Sequence, residues 1–399
     1  MATPISALEI SSNAVKLVVG YKLNNRPTIL YAGTYFVNVD ILDNETDDFS
    51  EIEKGIKHLI AEAEGTLNIK IDSVILGIPS IDLAVYSDSP VTPIFGEGGK
   101  IANRDIKSIF TMIRKNCETN MVNLRDKKVI NIVPDSYVLD DGRTFKKSPI
   151  NEVTTSLKIN CVVYLLPLEI YERVTSVVTS SGLNITKSFV SEYSLMSLLQ
   201  ETMSLPSTYF LIDFGAKVTT ISFINQDKLY FTSFLGVGSN DLTKLISARL
   251  GISFEDAKAL KEYYGYDLRK NRFVKPFVLP SGEQKEIYQN DLNEVIKEFF
   301  KTYKSSLNEA ITAMKVRYNI NTTNNTYPRY FIGGGVHLNG FKTLISEGDS
   351  LINPEVIKIN IMGARHGSYS TCLGLILSYE DYFEQIGNEQ SDVGTLSRQ

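Results

Sequence analysis

Asp213-Phe-Gly215-Ala216 closes the apolar run Tyr209–Ile212 and leads into a second run from Thr219 to Ile224. A carboxylate at the end of a buried strand, followed by a glycine that lets backbone N–H groups face a cavity, suits the holding of a metal–phosphate group. Asp-x-Gly turns are also common in α/β proteins, so a purely structural turn stays open. Lys217 either brings positive charge to a phosphate or points to solvent. Thr219 and Thr220 follow, Asn225-Gln-Asp227 is turn chemistry before a third strand-like run, and Gly236-Val-Gly238 comes after it. The same grammar of strand, acidic turn and strand recurs in Ile5–Tyr21 around Glu9-Ile-Ser11-Ser12. Serine adopts positive φ less readily than glycine and keeps a phosphate farther from the backbone, although both hydroxyls can donate. A third site runs from the strand Arg329–Ile332 into Gly333-Gly334-Gly335, with a helix expected from about Phe341. Three bare residues there fit a helix N-terminus or a close backbone approach to a nucleotide. Two acidic turns and a late triple glycine predict closure around one nucleotide from both halves of a two-lobed protein.

Other catalytic classes find no support. The chain has no Gly-x-x-x-x-Gly-Lys-Ser loop, no Gly-x-Ser-x-Gly elbow and no His-Glu-x-x-His helix, and no residue stands out as a base aimed at a hydroxyl acceptor. No catalytic residue is assigned. Cys117, Cys161 and Cys372 are too few and too scattered for a thiolate site or a disulfide framework, and His58, His337 and His366 make a histidine-rich metal centre unexpected. A net charge of −5 gives no global drive toward nucleic acid or anionic lipid. No secretory pattern opens the chain and no run reaches the length of a membrane span, which predicts a cytosolic location for its bulk.

The elements that must carry these residues follow from periodicity. With 399 residues the chain has room for several cores. A third N-terminal strand covers 28–40, an amphipathic helix 50–65 carries Ile52, Ile56, Leu59, Ile60 and Ala63, and Val74–Pro79 is a short buried strand. Between about 86 and 162 the composition changes: a Pro- and Gly-rich entry, a helix with Ile106, Ile109, Phe110 and Ile113, then strands at Val129–Pro134, Ser136–Leu139 and Leu157–Leu166. That block reads as a small inserted domain. Helices follow at 167–181 and 190–203. The longest helix, Asp291–Tyr318, shows Val295, Phe299, Tyr303, Leu307, Ile311 and Met314 at a 3.6-residue spacing, the pattern of core packing. A strand at Ile357–Ile361 and an apolar helix at Tyr369–Tyr379 end the core.

The arrangement resembles the actin, sugar kinase and heat-shock ATPase superfamily. Within it the chain is similar to the bacterial cell-division protein FtsA family from near Ile5 to about Leu377. Gly251-Ile-Ser-Phe-Glu-Asp-Ala-Lys-Ala-Leu-Lys261-Glu-Tyr-Tyr-Gly265 matches the family's entry to its smallest lobe, and Val133-Pro134, Asp141-Gly142 and Ser148-Pro149-Ile150 match its inserted domain. Ala216-Lys217 stands where the family has two glycines, Glu9-Ile-Ser-Ser where it has Asp-Ile-Gly-Thr or Asp-Ile-Gly-Ser, and Lys258 where it has a glutamate. The resemblance implies an α/β, two-lobed actin-like fold with an FtsA-type insertion: lobe 1 core at 1–85 and 163–206, inserted domain 86–162, lobe 2 core at 207–250 and 319–379, small subdomain 251–318, and a tail from 380. It implies binding of ATP with Mg2+ through Glu9, Ser11, Ser12, Asp213, Gly215, Lys217, Thr219, Lys258, Lys261, Gly333, Gly334 and Gly335. Asp213 is then the metal-side residue, and the departures imply slow or absent hydrolysis.

In that family the protein polymerises and ties the tubulin-like protein FtsZ to the inner face of the membrane at the division site. The partners implied are an FtsZ-like tubulin homologue, further copies of the chain and other division proteins, with no nucleic acid. The alternatives are a cytosolic adaptor of a pilus assembly resembling PilM, which also matches at Asp213-Phe-Gly-Ala216, and a sugar-kinase-type phosphotransferase. The family's membrane helix has no clear counterpart. Tyr382, Phe383 and Ile386 form at most one apolar turn among Glu380, Asp381, Glu384 and Glu389, and Arg398 is the only basic residue after Arg365. Membrane association is therefore expected to be weak or indirect.

Overall fold

The computed structural model describes residues 4–42, 48–95, 97–120, 124, 126–269, 271–278, 282, 284–320, 327–348 and 354–386. The described residues divide into two units, one within Met1–Leu205, Ile361–Ala364 and Tyr369–Gln399, the other within Pro206–Asn360 and Arg365–Ser368.

Unit 1 begins with three strands, β1 (Ile5–Ser11), β2 (Ala14–Leu23) and β3 (Arg26–Phe36), then α1 (Ser50–Leu67) and β4 (Ser73–Ile78). In β2 consecutive residues Leu17, Val18 and Val19 are all buried, as expected of a strand covered on both faces. The apolar stripe expected on α1 is the buried one, and Asn68 ends the helix in the left-handed region. A separate sheet and its helix follow: β5 (Ala84–Asp88), β6 (Val91–Pro93), α2 (Asn103–Lys115), β7 (Lys127–Leu139), β8 (Thr144–Phe145) and β9 (Ser156–Pro167). They fill their own core, with Ile106, Ile109 and Ile113 of α2 against Tyr137, Ile159 and Val163 of the sheet. The two strands expected at 129–139 are one. Proline has no N–H for the ladder, and the β7–β9 register shifts between Pro134 and Ser136, so the strand continues past the break as a bulge. Asn131, at the other register shift, takes the Val190 N–H on its Oδ1 at 2.9 Å and so ties β7 to the next core strand.

The chain returns through α3 (Leu168–Ser180), β10 (Asn184–Val190) and α4 (Ser191–Thr202), completing the sheet order β10-β4-β1-β2-β3. Unit 2 builds the corresponding sheet from β11 (Tyr209–Phe214), β12 (Thr219–Asn225) and β13 (Lys228–Leu235). It adds α5 (Ser239–Leu250), α6 (Phe254–Tyr263), the hairpin β14 (Phe273–Val278) and β15 (Gln284–Tyr288), α7 (Gln289–Arg317), β16 (Arg329–Ile332), α8 (Phe341–Ser346) and β17 (Pro354–Val356). Its order is β13-β12-β11-β16-β17. The stripe on α7 is buried throughout, packed with Phe214, Phe300 and Phe341 in one aromatic-rich core. The last strand lies at 354–356 rather than 357–361; it runs parallel to the four-residue β16, and Ile357 adds a final N–H bond to Phe331 O at 2.8 Å.

The last described helix, α9 (Ser370–Ile386), falls in unit 1 and not in the lobe 2 core that the resemblance implied. Cys372, Leu373, Leu375, Ile376 and Leu377 are all fully buried, so α9 is apolar around its circumference and needs neighbours on every side. It has them in α4 and the β1–β2–β4 face. The α4 contact is possible because residue 374 is glycine: a Cβ there would stand 2.0 Å from Ser194 O. Gly374→Ala is expected to destabilise the protein by about 1–3 kcal/mol through this overpacking, read as a lower urea midpoint at unchanged m-value.

Candidate functional site

β11 lies between β12, antiparallel, and β16, parallel, with Asp213 in register with Thr220 on one side and Ile332 on the other. This puts the aspartate one residue from the end of the central strand, level with the end of β16. There the chain turns through Gly333 at φ 100°, a conformation side chains disfavour, into a tight turn over Gly334–His337. A Cβ on residue 333 would meet Asp213 Oδ1 at 2.0 Å, and one on residue 335 would meet the Phe214 ring at 2.3 Å. Both glycines are therefore demanded by the β11–β16 junction itself. Gly334 is different: its added Cβ would find only ordinary contacts, His366 Cε1 at 3.7 Å and Ser368 Cβ at 4.0 Å.

The turn after β11 is clamped by α5. Gly215 N donates to Val218 O (3.1 Å), while Ser239 N and Asn240 N at the helix start donate to Gly215 O (2.9 Å) and Ala216 O (2.8 Å). Residue 238 must be glycine for this, since a Cβ would lie 2.3 Å from Ala216 O. The clamp extends to α6, which Ser253 caps by accepting Asp256 N at 3.1 Å. Lys261 Nζ of α6 reaches Ser239 O (3.0 Å), Ser239 Oγ (2.9 Å) and Thr243 Oγ1 (2.7 Å). Only 7 % of Lys261 is exposed. Burial pushes its pKa down to about 8, Glu262 opposing and the charge of Lys258 on the same helix adding to the effect.

Asp213, Gly215, Lys261, Gly333 and Gly334 thus stand in one hydrogen-bonded and packed region of unit 2. Thr219 does not present itself to a ligand. It is fully buried, its hydroxyl donating to Val237 O at 2.7 Å, because the first residue of the return strand faces the core against Tyr303. Lys217 and Lys258 lie half-buried on the turn and on α6.

Glu9, Ser11 and Ser12 belong to unit 1. Glu9 pairs with Lys16 at 3.2 Å, both side chains largely covered, and Ser11 Oγ donates to Ala14 O at 3.0 Å. The Cys372 thiol of α9 donates to Glu9 Oε2 at 4.0 Å, and burial next to that carboxylate pushes the thiol well up. Lys16 is a functional candidate that motif reading missed. Its signal is register, since a two-residue turn at Ser12-Asn13 places residue 16 directly across from residue 9. Ser239 and Thr243 were also missed; only the folded α5–α6 pair brings them to Lys261. Among the described residues there is no group of three or more His, Cys, Asp or Glu side chains placed to hold a metal ion.

Known structures share this fold. The PilM–PilN type IV pilus biogenesis complex matches with a TM-score of 0.59 at 17 % identity, over 95 % of this chain and 99 % of that one. MreB5 of Spiroplasma citri bound to ADP matches with a TM-score of 0.53 at 12 % identity, over 96 % and 97 %. The protein is accordingly of the actin-like ATPase-fold class. Within that class its sequence is FtsA-like: the family described as cell division protein FtsA matches residues 210–374. Cell division protein FtsA of Staphylococcus epidermidis is 24 % identical over 384 residues, 93 % of this chain and 78 % of that protein, and that of Enterococcus hirae is 23 % identical over 382 residues, 92 % and 81 %.

The lysine supplies a pH test. Folded Lys261 loses its proton near pH 8, whereas the unfolded lysine keeps it to about 10.5. Between those values the unfolded state binds more protons, so this residue's contribution to stability rises with pH. The melting temperature of the wild type relative to Lys261→Met is expected to increase from pH 7 to pH 9.5; a constant difference would show that the ammonium is not held in a desolvated site.

Proposed function

We propose that the protein is an actin-like division protein that binds ATP with Mg2+, assembles with further copies of itself, and links an FtsZ-like tubulin homologue to the inner face of the cell membrane at the division site. The observation that carries this reading is the FtsA likeness across 93 % of the chain, on a fold of the actin-like class. Among the described residues no helix is long and apolar enough to cross a membrane, and the expected tail beyond residue 386 lies outside them.

We assign nucleotide binding chiefly to unit 2. Asp213 orients a Mg2+–phosphate group through water, the open side of Gly334 admits the nucleotide, and Lys261, buried beside hydroxyl and carbonyl oxygens, favours an anion nearby. Supporting this, Gly334 is the one glycine of its triplet whose bare backbone the fold does not require. Glu9 and Ser11 are each engaged within their own hairpin, which fits the expectation of slow or absent hydrolysis. Calorimetry with Mg-ATP is expected to show saturable binding, weakened about tenfold or more by Asp213→Ala and abolished by Gly334→Asp with little change in melting temperature. Absence of heat from wild-type protein would remove the nucleotide from the reading and leave the fold assignment standing.

For the partner we propose a patch on 251–318. Tyr263 is 83 % and Leu268 69 % exposed there, flanked by exposed Glu255 and Glu262 and half-buried Lys258. Exposed apolar side chains rimmed by charge are features of a peptide-binding surface. A labelled C-terminal peptide of the tubulin-like protein is expected to bind saturably, with Tyr263→Ala and Leu268→Ala weakening it. The pilus-adaptor reading, favoured by Ala216 in the Asp213 turn, gains if the peptide does not bind at high micromolar concentration.

A further inference from the structure

What borders the open side of Gly334 is a pair of stacked histidines. The rings of His337 and His366 lie 4.3 Å apart at 15°, at the end of the triple-glycine turn. The stack is built in: Gly367 N donates to His337 Nε2 at 2.9 Å, and a Cβ on Gly367 would lie 2.8 Å from Gly333 O. His366 Nδ1 lies 2.7 Å from Ser368 Oγ and accepts the Ser368 N–H at 3.3 Å, a longer contact than the 2.9 Å one that His337 accepts. His366 Cε1 and Ser368 Cβ are the nearest atoms to the place a Gly334 side chain would occupy, so a ligand entering that space touches both residues. Of the chain's three histidines, two meet at this spot.

We propose that the His337–His366 stack is part of the nucleotide site of unit 2, with exposed His366 serving as an anion-binding residue that carries a proton when the polyphosphate of a nucleoside di- or triphosphate lies against Gly334. This rests on the nucleotide reading above. The inner ring is the wrong one to charge. His337 accepts an N–H on Nε2, which requires the neutral ring, and burial with the nearby charges of His366 and Lys358 pushes its pKa down. Two charged rings at this stacking distance repel, so the pair takes one proton, on the outer ring. Protonation of His366 on Nδ1 gives up the long contact from the Ser368 N–H and replaces it with donation to Ser368 Oγ, which turns its hydroxyl proton outward. The open side of Gly334 then gains a positive charge and an O–H donor together. Arg365, the chain neighbour of His366, and Lys358 add charge of the same sign, so the proton is stable there chiefly when an anion is present.

The test is calorimetric titration of the 399-residue chain with Mg-ADP at pH 6.5 in two buffers of different ionisation enthalpy, repeated at pH 6 and pH 8. Wild-type protein is expected to take up a fraction of a proton per nucleotide and to bind about threefold or more weakly at pH 8 than at pH 6. His366→Asn, which keeps a hydrogen-bonding atom near the Nδ1 position, and His366→Gln are expected to lose both effects while melting as the wild type does. His58→Asn, on α1, is expected to retain both. Binding with the same proton count in wild type and in both His366 variants would overturn the proposal and leave the nucleotide reading intact. No binding heat from any of the proteins would overturn the two together.

Discussion

The carboxylate of Asp213 can stand where it does only because residue 333 has no side chain. β11 and β16 run parallel and in register up to Asp213 and Ile332, so the aspartate and the first residue beyond β16 compete for the same space. Glycine resolves the conflict twice over, by giving up its Cβ and by accepting φ of 100°. Gly335 repeats the device one step later against the Phe214 ring. The turn beyond β16 is thereby drawn onto the end of β11, and it is this closeness that leaves Gly334 and the segment Arg365–Ser368 side by side.

A second constraint acts on the other flank of Asp213. Turns are mobile unless their carbonyls are used, and here Gly215 O and Ala216 O take the first N–H groups of α5. The same donors that make a helix N-terminus an anion site are consumed internally. Positive character in this region therefore rests on side chains, above all on Lys261, whose ammonium faces neutral oxygens. A buried cation among dipoles is held at a cost in desolvation, which a bound anion would offset. The unusual Ala216-Lys217 turn is compatible with the clamp because the close approach is made by Gly238, whose missing side chain makes room for Ala216 O.

In unit 1 the corresponding hairpin is closed by charge. Glu9 and Lys16 face each other across β1 and β2, and α9 seals them from beneath with the Cys372 thiol. The glutamate reaches its partner across the strands, and Ser11 at the end of β1 and Ser12 in the turn both avoid positive φ. This explains how the hairpin forms with serine at both positions.

Much of this architecture was legible in the sequence. Local periodicity exposed the helices α1, α2 and α7 and the hairpins around Glu9 and Asp213, since burial on one face leaves a repeat of 2 or 3.6 residues in any window. Asp213 and the triple glycine were visible for the same reason, being consecutive along the chain. The tertiary structure alone decided matters that depend on residues far apart in sequence. α9 is apolar on every side, which shows that it is buried but not in which core; the answer lies at Ser194, where only a glycine at 374 fits. Thr219 looked like a ligand residue until the sheet turned its hydroxyl toward Val237 and Tyr303. Lys16 found Glu9 through strand register, Lys261 found Ser239 and Thr243 through the α5–α6 contact, and His366 met His337 across a segment that runs from the triple-glycine turn through β17. Sequence records what each residue can do; packing and pairing, which act between distant segments, determine which partners it does it with.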